Sequence, residues 1–441
     1  MIKAENQKKR KPFTTQDTIP YKEIYKDGIC RTDDNYYSKM VQFYDINYQL
    51  AQNDDKAAIF ENYCEFLNSF DSSVEVQITF LNQQVNFDEY AKKRDEEIAK
   101  IIPIQTFTDS FITHPNDCLK ADKTPYKVFT PYYNNLKFIW DSYKLEEFET
   151  NKNLKLIPFD FDSIPKLENM GFIKQTLPQF LQKSADELLQ DFEQKIDNYK
   201  VDRDFFDKNA TSNLAVHLRF GLISARQVFN KIKELKARTE NKEFFIRELF
   251  WREFYNYILF HFPKSETSNL NEIKVNWNED ETVFQKWCEG NTGVPIIDAA
   301  MRYFNLTGTM HNRLRMIVSS YLTKNLLVDW KKGERYFASK LLDYEASSNV
   351  GSWQWAASTG ADSVPYFRIF NPYLQSAKFD KEAVFIKSVI PELKDVNTKL
   401  IHSENGVQSN IFLNYPSQIV SIDFSRKRAI EEFKRANNEK A

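Results

Sequence analysis

Residues 289–308 have the sequence EGNTGVPIIDAAMRYFNLTG, which carries signals for both ends of a helix. Pro295 suits the first helical turn, where its fixed backbone angle fits and its missing N–H is not needed. Apolar residues then recur with the spacing of one helical face until Gly308, a residue type that commonly ends helices. These apolar positions are Ile296, Ile297, Ala300, Met301 and Phe304. The stretch therefore predicts a helix that begins at Pro295 and ends before Gly308.

The same periodicity continues on the C-terminal side. A second helix is predicted from Asn312 to about Trp330, and Gly333 is expected to separate it from a third helix over Glu334 to Leu342. The apolar face of the second helix consists of Leu314, Ile317, Val318, Tyr321 and Leu322. Helical signals dominate from about residue 181 onward, so we predict a mainly α fold with an all-helical domain at 181–441.

The first 180 residues differ in texture from the helical region. Residues 1–85 are polar and predict a mixed α/β segment, with a helix over Asp55 to Phe70 and a strand over Val74 to Leu81. Residues 86–180 are rich in proline and are interpreted as a connector that follows the surface.

Composition and motifs exclude several kinds of site. The chain has only 10 glycines and contains neither G-x-x-x-x-G-K-[ST] nor G-x-G-x-x-G, so a phosphate loop or a dinucleotide fingerprint is not expected. The four cysteines form no C-x-x-C pair and the five histidines lack ligand spacing, so we predict no metal site and a reducing, cytoplasmic location. No apolar run approaches the roughly 18–20 residues that span a bilayer.

Six segments in register carry a family resemblance. They are Arg247–Tyr255 (RELFWREFY), Glu289–Arg302 (EGNTGVPIIDAAMR), Thr307–Met316 (TGTMHNRLRM), Asp329–Phe337 (DWKKGERYF), Trp353–Gly360 (WQWAASTG) and Pro365–Pro372 (PYFRIFNP). From about residue 87 to its end the chain resembles the DNA photolyase/cryptochrome family, and within it the class I-like photolyases of cyclobutane pyrimidine dimers. The resemblance implies an FAD- and DNA-binding helical domain at 181–441. It also implies light-driven repair, in which reduced FAD passes an electron to a flipped-out dimer.

The resemblance assigns one set of positions to the flavin. These residues are Tyr199, Thr211, Ser212, Leu214, Arg252, Asp343, Glu345 and Asn349. Hydroxyls at a helix start are apt for phosphate, although an ordinary helix N-cap is the alternative for Thr211 and Ser212. Asn349 stands where the family's photolyases place an asparagine beside the flavin ring, which favours repair over signalling.

A second set is assigned to the damaged DNA. The residues implied to contact the dimer are Glu248, Asn312, Met316, Trp251 and Trp355, and those implied to contact DNA are Arg203, Arg313 and Arg368. Aromatic walls suit two extruded bases, because stacking on them partly replaces the stacking lost from the duplex. Arginine suits phosphate, but an ion pair on a helix surface is the alternative for these arginines.

Three tryptophans match the family's electron-transfer chain, which reduces oxidised flavin from the surface: Trp353, Trp330 and Trp277. For Trp277, and for Trp287 nearby, packing in the core is an equally good interpretation.

The N-terminal region resembles a different family. Residues 13–85, with DTIPYKEIYKDGICR at 17–31 and VQITFLNQQ at 76–84, are similar to the N-terminal segment of a conjugative-transfer ATPase of type IV secretion systems. The ATP-binding motifs of that family are absent, so no ATPase activity is expected. We therefore expect a chimera that is joined between Leu81 and Ala91, with a remnant of the photolyase α/β domain at 86–135 and an interdomain connector at 136–180.

This arrangement affects the expected cofactors and partners. Most of the sheet that would hold an antenna chromophore is missing, which argues against a bound folate or deazaflavin. The expected partner is DNA that contains pyrimidine dimers, and the protein is expected to be a monomer. The alternatives are a cryptochrome-like flavin photoreceptor and an inactive chimeric product.

Overall fold

The structure is a computed structural model that describes residues 23–25, 29–33, 36–39, 110–142, 166–171, 178–408 and 413–439. The chain divides into two compact units, Met1–Ile104 and Gln105–Ala441. The predicted helix over Asp55 to Phe70, the predicted strand over Val74 to Leu81 and the predicted junction lie outside the described residues.

The described residues of the first unit form a three-stranded antiparallel sheet in the order β1-β2-β3. The strands are β1 (Glu23–Ile24), β2 (Ile29–Asp33) and β3 (Tyr36–Lys39). Ile24 pairs with Cys30, and the register between β2 and β3 shifts between Arg31 and Asp33.

The second unit is helical in all its described parts, which confirms the mainly α prediction. Its first helices are α1 (Phe129–Ser142), α2 (Ala185–Glu193), α3 (Tyr199–Asp202), α4 (Ala215–Arg219), α5 (Ala225–Glu234), α6 (Thr239–His261) and α7 (Glu281–Glu289). They are followed by α8 (Pro295–Thr307), α9 (Asn312–Ser320), α10 (Trp330–Ala338), α11 (Ala346–Ala357), α12 (Pro372–Phe379), α13 (Val384–Val389), α14 (Thr398–Ile401) and α15 (Ile422–Asn438). No helix in the described part of the chain is long and apolar enough to cross a membrane.

The helix predicted from residues 289–308 is present. α8 begins at Pro295, ends at Thr307, and is closed by Gly308 in the left-handed conformation with φ 66°. All five of its predicted apolar positions are buried. Local signals at both ends were sufficient here because they agreed with the burial pattern.

The predicted second and third helices were wrong at their shared boundary. α9 ends at Ser320 and continues as a π-helix over Tyr321–Asn325, so the helix stops before Trp330. α10 begins at Trp330, because the side chain of Asp329 accepts a hydrogen bond from the N–H of Lys331 as an N-cap.

Gly333 lies inside α10 and does not break it. A Cβ at this position would stand 2.3 Å from the ring of Trp353, so glycine is what allows α10 to approach α11. Gly351 has the same role on the other side, because its Cβ would stand 2.1 Å from the ring of Tyr255 on α6. The two glycines let α11 pack closely between α6 and α10.

The prediction of a connector over residues 86–180 was wrong for part of that range. α1 occupies Phe129–Ser142, and Phe129, Tyr132 and Leu136 are buried in a core that they share with α2, α5 and α6. A second core is formed mainly by α8, α9, α10 and α11. The helices that carry predicted site residues belong to these cores, α6 to the first and α9, α10 and α11 to the second.

Candidate functional site

Helix α6 carries three of the predicted site residues on one face. Glu248, Trp251, Arg252 and Tyr255 follow at spacings of three and four residues, so their side chains project from the same side of the helix. Tyr255 contacts Gly351 at the crossing with α11, which fixes the direction of this face. We call these four residues the α6 face.

Glu248 begins a chain of alternating charges. The Nη1 of Arg203 donates to Oε1 of Glu248 at 2.5 Å, and the Nη2 of Arg313 donates to Oδ2 of Asp204 at 2.6 Å. The Nε of Arg203 lies 4.0 Å from Oδ1 of Asp204, which joins the two pairs. The structure therefore brings Glu248, Arg203 and Arg313 close together. Both arginines form ion pairs, as their alternative interpretation expected.

Arg203 is held from several sides. Its guanidinium lies over the rings of Tyr199 and Phe244, at 5.2 and 5.8 Å from their centroids. Burial lowers the pKa of Arg203, but the hydrogen bond and the charge of Glu248 raise it more, so the net pKa is above the ordinary value. Arg203 is therefore a fixed cation beside the carboxylate of Glu248.

The start of α9 places two further predicted residues. His311 is the N-cap of this helix, since its Nδ1 accepts from the N–H of Arg313 and its Nε2 bonds the carbonyl of Arg203. Burial lowers the pKa of His311 to about 4, so the ring is neutral at physiological pH. Asn312 is exposed and Met316 follows one turn later on the same side of α9.

The two predicted aromatic walls have different surroundings. The indole of Trp251 stacks on Phe129 of α1, with centroids 3.7 Å apart and planes at 7°. Trp355 lies on α11 and is half-buried, and no ring contact joins it to the other aromatic residues that the structure describes. The structure therefore links Trp251, but not Trp355, to a specific aromatic partner.

The segment before α11 gathers the acidic residues predicted for the flavin. Both carboxylate oxygens of Asp343 accept from Nη2 of Arg315, at 3.0 and 2.8 Å. Oε1 of Glu345 accepts from Nη2 of Arg252 at 2.7 Å, which connects this segment to the α6 face. The Nδ2 of Asn349 donates to Oε1 of Glu334 at 3.0 Å, so the asparagine side chain is oriented by α10.

Thr211 and Ser212 precede α4 by three to four residues. The N-cap of α4 is Leu214, so neither hydroxyl caps the helix, and the interpretation of Thr211 and Ser212 as an ordinary N-cap was wrong. Asn213 adopts a left-handed conformation with φ 57°, which bends the chain at this point. Among the described residues, the backbone N–H groups of residues 211–214 find no acceptor. Free N–H donors beside two hydroxyls fit an anionic group such as a pyrophosphate.

Tyr199 and Leu214 are buried in the core that α1, α2, α5 and α6 share. Tyr199 packs edge-on against Phe192 and Phe245, and the guanidinium of Arg203 lies over its ring. This core therefore includes one residue of the 211–214 turn and one residue that contacts the charge chain.

The three tryptophans of the predicted relay occupy separate positions. Trp353 is buried, and its ring contacts are with Phe337 at 5.1 Å and with Trp287 at 6.0 Å. Trp330 is buried and its Nε1 donates to Oδ1 of Asn269 at 2.8 Å. Within the described residues, no ring contact joins these two indoles.

Trp277 is partly buried and lies edge-on to Phe433 of α15 at 6.0 Å. Trp287 is fully buried and its Nε1 donates to the carbonyl of Val318. Both therefore pack in the core, as the alternative interpretation expected.

Arg368 stands apart from the charge chain. The backbone N–H of Arg368 donates to the carbonyl of Pro365, with 2.8 Å between nitrogen and oxygen. The side chain of Arg368 is exposed.

Sequence reasoning missed the partners that orient the site. They are Asp204, Arg315, Glu334 and Phe129. Asp204 could have been noticed in the sequence, because it directly follows Arg203. The pairings between residues that are distant in the chain could be identified only from the structure. Among the described residues no group of His, Cys, Asp and Glu is arranged to hold a metal ion.

The chain is similar to known proteins in sequence and in fold. Residues 245–435 match the family model described as the FAD binding domain of DNA photolyase. The chain is 39% identical over 352 residues to the deoxyribodipyrimidine photo-lyase of Alkalihalophilus pseudofirmus, which covers 76% of this chain and 73% of that protein. It is 36% identical over 385 residues to the Escherichia coli enzyme of the same name, covering 82% of this chain and 79% of the relative.

Solved structures are similar as well. A class III photolyase from Agrobacterium tumefaciens is 31% identical with a TM-score of 0.67, over 81% of this chain and 78% of that chain. A photolyase from Sulfolobus tokodaii, solved with two FAD molecules, is 34% identical with a TM-score of 0.64, over 79% and 76% of the two chains. Sequence, family model and fold agree over the same region: the chain belongs to the DNA photolyase/cryptochrome family.

Proposed function

We propose that this protein is a deoxyribodipyrimidine photo-lyase that repairs cyclobutane pyrimidine dimers in DNA with light and FAD. The observation that carries the proposal is the α6 face. On this face, Glu248 is connected through Arg203 and Asp204 to Arg313 at the start of α9. On the same face, Arg252 pairs with Glu345 beside α11. One helix face thus connects the residues assigned to the dimer with those assigned to the cofactor.

The residues present fit FAD. The free N–H groups of residues 211–214 and the hydroxyls of Thr211 and Ser212 would hold its phosphates, with Tyr199 and Leu214 behind them. Asp343, Glu345, Arg252 and Asn349 would border the ring system. When bound and reduced, FAD supplies the light-driven electron, and the protein contributes binding, orientation and electrostatics.

The dimer would be bound by residues from three elements. Glu248 offers a fixed carboxylate that accepts hydrogen bonds from base N–H groups, because Arg203 holds it in one orientation. Asn312 and Met316 would contact the dimer from α9, and Trp251 and Trp355 would provide flat apolar surfaces for the extruded bases. Arg203, Arg313 and Arg368 are proposed to meet the DNA backbone.

Trp353, Trp330 and Trp277 are proposed as the relay that reduces the cofactor from the surface. The burial of Trp353 and the hydrogen bond from the Trp330 indole to Asn269 support fixed positions for both rings.

For the N-terminal region we propose the chimera described above. Residues 1–85 would derive from a conjugative ATPase-like segment, 86–135 from the photolyase α/β domain and 136–180 from the connector, without a folate or deazaflavin antenna. The protein is proposed to be a monomer in the cytoplasm. An absorption spectrum of the purified protein with only flavin bands supports the absence of an antenna, and light scattering measures its mass.

The function is tested by illuminating the FAD-loaded protein with DNA that contains dimers. Glu248→Gln is expected to reduce repair per absorbed photon about tenfold or more, because a hydrogen bond to a charged group contributes roughly 1.5–3 kcal/mol. Glu243→Gln is the matched control, since Glu243 lies on the same helix but pairs with Lys137 at the surface. Bound flavin without repair in the parent protein indicates a photoreceptor instead, and a colourless, aggregated product indicates an inactive chimera.

A further inference from the structure

Two arginines assigned to DNA share one carboxylate. Oδ2 of Asp204 accepts from Arg313 at 2.6 Å, and its Oδ1 lies 4.0 Å from Nε of Arg203. Arg203 is also paired with Glu248 at 2.5 Å. The formal charges of these four side chains cancel, so each arginine already has an acidic partner where DNA phosphates are expected to bind.

The Asp204 side chain makes few other polar interactions. Within the described part of the chain, its carboxylate has no hydrogen bond or ion pair other than those to the two arginines. It caps no helix, and its side chain is only 28% exposed. The neighbouring Asp202 differs, because it pairs with Lys208 at 2.5 Å. The ion pairs of Asp204 are therefore with Arg203 and Arg313, although its charge also raises the pKa of the neighbouring His311.

Arg313 is restrained by more than this ion pair. Its guanidinium lies over the ring of Phe379 at 4.7 Å, and its Nε is buried without a partner. An arginine that contacts a DNA phosphate contributes to affinity mainly by releasing counterions, which makes binding salt-dependent. A carboxylate bonded to that arginine weakens this contribution, because it already neutralises the charge and repels the phosphate.

We propose that Asp204 is a positioning residue that restrains Arg203 and Arg313 in ion pairs and thereby weakens their contacts with the backbone phosphates of duplex DNA. The effect applies to undamaged and to dimer-containing DNA, because both present the same phosphates. The inference rests on the proposed function, since it takes DNA to be the ligand.

The test measures binding of the FAD-loaded protein to a short undamaged duplex and to the same duplex with one dimer. Asp204→Asn keeps the shape and removes the charge. It is expected to steepen the dependence of log affinity on log salt for undamaged DNA by about 0.9, the value for one added phosphate contact. When the salt concentration rises from about 50 to 200 mM, the affinity of Asp204→Asn for undamaged DNA should therefore fall roughly threefold more than the affinity of the parent protein. The slope for the duplex with one dimer should steepen as well, because its backbone phosphates are the same.

Two variants separate this role from a general charge effect. Asp202→Asn removes the same charge two residues away. It should change the slope of log affinity against log salt by less than half as much as Asp204→Asn does. Arg313→Gln alone should lower the slope by less than about 0.9, because the ion pair with Asp204 already offsets part of the charge that Arg313 offers to a phosphate. In the Arg313→Gln background, Asp204→Asn should produce less than half of its usual increase.

An unchanged or shallower slope in Asp204→Asn, with a native melting temperature, overturns the inference, as does an equal effect of Asp202→Asn. If Asp204→Asn fails to fold, Arg313→Gln decides: a slope lower by about 0.9 means that Arg313 is free to bind phosphate and the inference is wrong. Repair by the parent protein is measured separately. Absence of repair with the expected slopes refutes only the proposed function, and repair with unmoved slopes refutes only the role of Asp204.

Discussion

Glu253 is a fully buried carboxyl group on the side of α6 that faces residues 110–113. Its oxygens accept from the N–H of Ile112 at 2.9 and 3.0 Å and from the N–H of Thr113 at 3.2 Å. Burial raises the pKa of Glu253 to about 7, although these hydrogen bonds and the charges of Arg252 and Arg226 lower it. Burial is the larger effect, so the native state binds a proton that the unfolded chain loses near pH 4.5.

The raised pKa predicts how stability depends on pH. Since the folded state holds the proton more tightly, the contribution of Glu253 to the free energy of unfolding is greatest below pH 4.5 and falls as pH rises to about 7. The slope is at most about 1.4 kcal/mol per pH unit. Denaturant unfolding of Glu253→Gln across this range should lack that component. Glu243→Gln, which changes an exposed carboxylate, should keep the parent's slope; parallel curves for the parent and Glu253→Gln would contradict the prediction.

At the scale of elements, helix ends were predictable wherever the signal was local. α8 followed from Pro295 and Gly308 because cap and burial pattern agreed. α1 was missed, since its sequence contains a proline and its burial comes from contacts with α6 that are distant in the chain. The site shows the same division. The family motifs located Glu248 and Arg203, but their pairing spans 45 residues and depends on how α3 and α6 pack.

Gly333 provides a prediction about one helix crossing. In an exposed helix, replacing glycine by alanine stabilises by about 1 kcal/mol. Here the added methyl group would meet the Trp353 ring at 2.3 Å, so Gly333→Ala should destabilise by about 1–3 kcal/mol. Thermal unfolding measures the effect.

A Trp353→Leu background provides the control for the Gly333 prediction. A smaller side chain leaves room for the methyl group, so the penalty of Gly333→Ala should shrink or reverse there. An equal penalty in both backgrounds would show that another contact, such as that of the added methyl group with Leu322 at 2.6 Å, is responsible rather than the contact with Trp353.

For the whole molecule, the boundary between the two compact units falls just before a segment that α6 binds through its backbone. Besides the bonds to Glu253, the carbonyl of Ser110 accepts from Arg252 and Asn256, and that of Cys118 accepts from the Tyr257 hydroxyl. Arg252 also pairs with Glu345, so the segment supports a residue proposed to border the flavin. Because these contacts involve main-chain atoms, they tolerate changes in the sequence of residues 110–118.

Two truncations test whether this segment belongs to the catalytic unit. A chain that begins at Gln105 should fold, bind FAD and melt close to the full-length protein, since the contacts of 110–118 remain. A chain that begins at Leu119 lacks the two N–H groups, of Ile112 and Thr113, that donate three hydrogen bonds to the Glu253 carboxyl. Leaving a buried polar group without its hydrogen-bond partners costs about 1–3 kcal/mol, so this chain should melt lower and hold flavin less well. Glu253→Leu should recover part of the stability of the shorter chain but not of the longer one, because only the shorter chain lacks the partners. Equal melting of the two truncations would place residues 110–118 outside the unit that binds the cofactor.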